Sequence, residues 1–313
     1  MVNVKTILCY VFVLLYLQAC SQTKQQKTKI MELFIDSVMQ HVKHYDNTPV
    51  YSLQINKAGC RMLVETNDFP PGYIGTLYSN QGESMMIGLN RFILKSGKQK
   101  IKLKIYPREQ DEFISGYAHL DIKLFYNSNK DSGFSNYVQL AQVGLPEDIV
   151  DRKLAYSEIE IPFEAKVPYD FSSRLDSAVD LKAIPNIEKK VLEKFEAKRS
   201  LIEKGKEVEY GYEDKESIKM LGNMFYATKK ELWEFYEAGR EIFDANRKGR
   251  EVLPIENYEI VFYANNKLVT IRRNDNKGDV LKAEFKKDGK LTADASYSLD
   301  LYMTKGSNEF KVW

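Results

Sequence analysis

Between Ile30 and Tyr45 the apolar residues fall at Met31, Phe34, Ile35, Val38, Val42 and Tyr45, a three-and-four spacing that predicts a short leader helix over 30–46. From Val50 the period changes to two. Tyr51, Leu53 and Ile55 alternate with polar residues, Ile101, Leu103 and Ile105 alternate with Lys100, Lys102 and Lys104, and Leu120, Ile122 and Leu124 alternate with His119, Asp121 and Lys123. Each such strand has one dry and one wet face. Turn-forming clusters at Asn67 to Gly72, Lys95 to Lys98 and Asn127 to Gly133 separate the strands. Repeated strands with no helix between them predict an N-terminal antiparallel β-sandwich over 48–167. Its last strand holds Ile159, Ile161 and Phe163, and Pro162 argues for an edge or a bulge there.

Residues 168–186 lack a clear period and read as a connector. Beyond them Ile187, Val191, Phe195 and Ile202 predict one amphipathic helix, and Ile218, Leu221, Phe225, Leu232, Tyr236 and Phe243 a longer one, with Gly205 and Gly249 as stops. Strands follow near Tyr258 to Ala264, Leu268 to Arg272, Val280 to Phe285, Tyr297 to Met303 and Glu309 to Val312. Short Asn, Asp and Gly connectors between them suit successive hairpins. The expected class is therefore α+β and multidomain, with a helices-plus-antiparallel-sheet domain over 187–313 behind the sandwich. Helices followed by a meander ending in Phe310-Lys311-Val312-Trp313 loosely resemble the nuclear transport factor 2-like fold, a likeness of topology that carries no function.

The start of the chain follows a different rule. Lys5 precedes an unbroken apolar run from Ile7 to Leu17, about half the ~20 residues a membrane-spanning helix needs. The run ends at Leu17-Gln18-Ala19-Cys20, which resembles the lipobox of bacterial lipoproteins, although Gln18 departs from the usual small residue. That resemblance implies a signal peptide over 1–19, lipidation of Cys20, a polar tether over 20–29 and a bilayer anchor of several acyl chains. No Asp follows the cysteine and no acidic cluster follows it, so a periplasm-facing outer-membrane location is expected. Cys9 leaves with the signal peptide and Cys20 takes lipid, which leaves Cys60 without a disulfide partner, as a buried small hydrophobe in a strand.

Charge adds little. Lys plus Arg number 46 against 44 Asp plus Glu, so a net +2 exerts no broad pull on nucleic acid, which is not expected as a partner. Three His exclude most zinc and His-based plans; His41 and His44 stand three apart on the leader helix with few carboxylates nearby, and no metal or cofactor is expected. The loop from Asn127 spaces oxygens like a calcium loop, but Ser132 and Val138 occupy the places of its Gly and Glu. Nucleophile-elbow, phosphate-loop and dinucleotide signatures are lacking. The acids repeating from Glu231 to Glu241 read as a solvated helix face, so no catalytic residue is assigned, and only an unplaced carboxylate chemistry survives.

Two groups of residues could bind. Lys98, Lys100, Lys102 and Lys104 form a row on one strand face, which either blunts an exposed sheet edge or face against aggregation or meets an acidic partner or anionic glycan. Phe69 and Tyr73 in the Pro-Pro-Gly loop, with Tyr126 and Phe134 flanking the Asn127 loop, either fold back on the core or present stacking faces. The expected role is non-catalytic: a lipid-anchored envelope protein binding an envelope or incoming protein partner. A carbohydrate-binding or carbohydrate-processing lipoprotein, and an immunity lipoprotein against a secreted toxin, stand beside it.

Overall fold

The computed structural model describes residues 26–69, 74–149 and 151–313. Cys20, the lipobox and Tyr73 lie outside them. The described chain is mixed α+β with antiparallel sheets. Strands β1 (Val50–Ala58), β3 (Glu83–Gly88), β5 (His119–Asn127) and β6 (Val138–Gly144) form one sheet in the order β3-β1-β5-β6. A second sheet, β2-β4-β7, joins Arg61–Thr66, Gly97–Tyr106 and Ser157–Ala165, with the one-turn helix α2 (Ile74–Leu77) between β2 and β3 in the chain. The alternation read from the sequence is the burial pattern found: Leu53, Ile55, Ile101, Leu103, Ile105, Ile122 and Leu124 are all fully buried and share one core. Each such side chain contributes about 1.5–3 kcal/mol by leaving water. Pro162 does lie on an edge strand, β7, opposite Lys100.

The helix expected over 30–46 occupies residues 26–39 instead and is called α1. It ends early because Asn223 captures the chain beyond it: the Lys43 N–H and the Tyr45 hydroxyl donate to the Asn223 side-chain oxygen, and its amide nitrogen donates to the His41 carbonyl. Nor does α1 stand apart as a leader. Met31, Phe34, Ile35 and Val38 are buried against Val208, Ile218, Leu232, Trp233 and Tyr236. These come from α5 (Glu207–Glu213), α6 (Lys215–Met224) and α7 (Lys229–Gly239).

The long helix expected from Ile218 to Phe243 is two, α6 and α7. Tyr226 takes a left-handed φ of 54° between them, and Thr228 caps α7 in a reciprocal pair with Glu231. That capping box satisfies two backbone donors at once and fixes the new start. The helix at Ile187–Glu203, α4, ends where expected, at Gly205 with φ +66°.

The C-terminal strands are not one meander. β9 (Tyr258–Tyr263) and β10 (Leu268–Arg273) pair as a hairpin in the sheet β14-β13-β10-β9, completed by β13 (Leu301–Tyr302) and β14 (Lys311–Val312). β11 (Leu281–Lys287) and β12 (Lys290–Tyr297) pair in a separate sheet with β8 (Arg250–Val252). Only an isolated bridge, Arg272 to Asp279, remains between β10 and the chain entering β11. The segment 168–186 is also more than a linker: it forms the short α3 (Ser172–Asp176) and buries Tyr169, Ala178 and Leu181. Met220, Met224, Tyr226, Leu268 and Tyr302 join the same core as Leu53 and Ile101, so apolar packing runs continuously from the first sheets into the C-terminal region.

Candidate binding cleft and sheet edge

The lysine row lies on β4, the central strand of its sheet, so it covers a sheet face and not an edge. Nor is it a free cationic patch, because the facing strands supply the matching acids. Lys100 reaches Glu160 at 3.5 Å and Asp68 at 4.0 Å, Lys102 reaches Glu158 at 3.4 Å, and Lys104 holds Glu65 at 2.6 Å. Lys98 faces Glu164 across the register and is exposed. Opposite charges directly across a strand pair stabilise a sheet by tenths of a kcal/mol to about 1 kcal/mol each. For Lys102, burial works against the charge, but its acidic neighbours outweigh it and hold the ammonium group above its ordinary value. Glu158 is held below the usual carboxylate range by the hydrogen bond from Tyr156 and by Lys102.

Lys102 and Lys104, with Glu65, Asp68 and Tyr106, form one wall of a cavity of about 380 Å³. The other wall is the β9–β10 hairpin with Val261, Phe262, Tyr263, Asn265, Asn266 and Arg272. Arg272 is itself engaged, donating to Glu259 at 2.5 Å and to the Tyr263 hydroxyl at 3.1 Å. Burial would raise Glu259, but Arg272 and Lys277 override it and leave the carboxyl low. Burial pushes both the Tyr106 and Tyr263 phenols up, so they stay protonated donors.

Both lips of this cleft are turns in the left-handed region. Asn67 and Asp68 have φ of 55° and 59°, and Ala264, Asn265 and Asn266 have 49°, 56° and 63°. Asn and Asp tolerate this conformation, so four of the five residues suit these turns and Ala264 alone carries a steric penalty. Here the lips are joined directly, the Ala264 N–H donating to the Asp68 carbonyl at 3.1 Å. The Asn67 amide adds bonds to Phe92 and Gln99, and the Asn266 carbonyl accepts from Leu181. Among the described residues, the side chains of Asn265 and Asn266 have no hydrogen-bond partner.

Beside β10 lie two acids that pattern alone does not place. Asp300 keeps a partly open surface yet sits deep among protein atoms, and burial pushes its carboxyl up to about 6, with Arg91 opposing and Asp279 adding to the rise. Asp279 is likewise raised by burial, against hydrogen bonds from Ser298 and Ser296. A carboxyl raised above its unfolded value of 3.8 binds its proton more tightly in the folded state. Its ionisation therefore costs stability as pH climbs from about 4 to 6, and the cost is complete above that window. Asp300→Asn is expected to stabilise the protein by about 1–3 kcal/mol at pH 7 and to change nothing below about pH 4, as read by urea unfolding at both values. Equal effects at the two pH values would show that the carboxyl is not perturbed.

The expected loop aromatics separate. Phe69 is buried and stacks on Trp313 at 5.6 Å, and Tyr126 is half-buried against Tyr51 at 5.2 Å, so both fold back on the core. Phe134 is 62% exposed and stacks on Tyr137 at 5.0 Å. It leads directly into β6, an edge strand on which Val138 is 55% and Leu140 44% exposed. In a chain that is 29% charged, no charged residue lies between Asp131 and Glu147. The Lys, Pro and inward charges that usually guard a sheet edge are missing from β6. Its one irregularity is a bulge, with Leu124 opposite Ala141 and Phe125 opposite Gln139, which leaves Leu140 unpaired.

Cys60 is a free, fully buried thiol raised by that burial, with Lys57 opposing. His41, His44 and His119 are all exposed, and no metal-holding group of three or more His, Cys, Asp or Glu occurs among the described residues. No helix of the described residues is long and apolar enough to cross a membrane. No protein-family model, no curated protein and no solved structure matches the chain.

Proposed function

We propose that the chain is a bacterial outer-membrane lipoprotein, anchored through Cys20 and facing the periplasm, that binds a protein partner without catalysis. In this reading the two N-terminal sheets form a β-sandwich domain and residues 187–313 an α+β domain behind it. The observation that carries the binding role is β6: an exposed, uncharged edge beside a stacked Phe134–Tyr137 pair. An edge of this kind accepts an extended segment of another protein through backbone hydrogen bonds, while neighbouring aromatic and aliphatic side chains supply the specificity. The anchor rests on the Leu17-Gln18-Ala19-Cys20 resemblance, and its length places α1 close to the bilayer, since six residues from Cys20 to Gln26 span at most about 20 Å.

The test uses the full chain in a bacterial envelope with a photo-crosslinking residue in place of Val138 or, as a control, of Lys305 in the exposed turn after β13. A discrete protein adduct at 138 that is missing at 305 and lost on adding Leu140→Lys is the expected result. Identical adducts at both positions, or none at 138, would sink the edge-binding role. Fatty-acid labelling that survives Cys20→Ser would separately sink the anchor.

A further inference from the structure

The cleft between β4 and the β9–β10 hairpin lies apart from β6, and its chemistry points to a different ligand. We propose that it binds a neutral polyhydroxylated molecule of the size of one or two sugar rings. The volume of about 380 Å³ falls in the range of small-molecule sites, and the walls are mainly polar, which disfavours an apolar ligand.

Charge compensation then excludes the other large class. Lys104 is held by Glu65, Lys102 by Glu158 and Arg272 by Glu259. An anion entering here would gain a cation only by displacing one of these carboxylates and leaving it unpaired. A hydroxyl group has no such cost, because it donates to a carboxylate and accepts from an ammonium group at the same time. Alternating Lys and Glu or Asp side chains therefore offer neighbouring hydroxyls both partners at once, in a geometry that the ion pairs have already fixed. The amides of Asn265 and Asn266 add donors and acceptors that make no side-chain hydrogen bond among the described residues. Tyr106, on the same face of β4 as the lysines, supplies aromatic surface for the C–H face of a ring.

The direct link between the lips supports a built site over an accidental gap: the Ala264 to Asp68 hydrogen bond ties the two turns together. A rigid mouth loses little freedom when a ligand enters.

Saturation-transfer NMR on the full chain in detergent micelles tests the assignment, with a panel of neutral hexoses, N-acetylhexosamines and their disaccharides, and citrate, glucuronate and glucose 6-phosphate as anionic probes. At least one neutral sugar is expected to bind with a dissociation constant below about 10 mM, a weak but readable affinity. Asn265→Gly/Asn266→Gly removes both amides while keeping the left-handed backbone, and should weaken that binding about tenfold or more with the thermal unfolding midpoint little changed. Silence across the neutral panel, binding of the anionic probes alone, or undiminished binding by the double variant would each overturn the proposal. Loss of the β6 adduct leaves this outcome untouched, so the two readings fail independently.

Discussion

Lys198→Ala should lower the unfolding free energy by about 3–5 kcal/mol, the cost of stranding a buried charge partner. Lys198 is fully buried in α4. Its ammonium group bonds Asp214, approaches Glu213 at 3.4 Å, reaches the Tyr210 carbonyl at 3.3 Å and lies 3.8 Å from the Tyr210 ring centre. Burial raises the Asp214 carboxyl even with Lys198 opposing it, so removing the lysine leaves desolvation unanswered. The loss then has a pH signature. A raised carboxyl is destabilising above its folded pKa and harmless when protonated, so the gap between wild type and variant should narrow as pH falls toward about 4. Pairing Lys198→Met with Asp214→Asn removes both charges and should recover much of the loss. Chemical unfolding of the three proteins at pH 7 and pH 4 checks all of this, and a Lys198→Ala cost under about 1 kcal/mol would mean that the pair is solvated.

Gly249→Ala is expected to cost about 2–4 kcal/mol, from left-handed strain and the loss of a ladder hydrogen bond. Gly249 has φ +78°, and a β-carbon built there would overlap the Lys286 carbonyl oxygen. The approach is close because the Lys286 N–H donates to the Gly249 carbonyl at 2.8 Å, where β8 begins alongside β11. Backbone cannot yield as a flexible side chain would, so the strand itself must move. By contrast Gly289→Ala, at φ +76° with open space around it, should show the conformational strain alone. Comparing thermal midpoints of the two variants separates strain from overlap, and equal shifts would contradict the close approach at Gly249.

How far the sequence can be read follows from the range of the interactions involved. The alternation of Leu53, Ile101 and Ile122, and the spacing of Val191, Phe195 and Ile202, report which face a residue buries, a local property that fold context leaves intact. Two further local signals stand in the sequence beyond those that periodicity exposes. Thr228 with Glu231 is a capping box that divides the expected long helix, and Lys198 falls on the apolar stripe of α4, where a cation must find buried partners. The lysine row has its complement in the sequence too, since Glu158 and Glu160 alternate with Ile159 and Ile161 in the matching phase, but only the strand pairing sets them face to face. What no local pattern holds is the division of the C-terminal strands between two sheets and the meeting of Asp68 with Ala264. The cleft depends on that meeting, which is a tertiary contact between distant turns.

The docking of α1 also sets how the molecule answers to mechanical force. Load applied through residues ahead of position 26 enters at one end of a helix whose grip is a single stripe, Met31, Phe34, Ile35 and Val38, and the Lys229–Asp36 ion pair. Pulled from that end, these contacts separate in succession, at lower force than a sheet whose backbone bonds must break together. Beyond them the Asn223 bonds to residues 41, 43 and 45 form a second catch. Peeling residues 26–45 would release on the order of 60–70 Å of extended chain before any sheet is loaded. In that geometry α1 would give way under tension before the sheets that form the cleft and β6 are loaded.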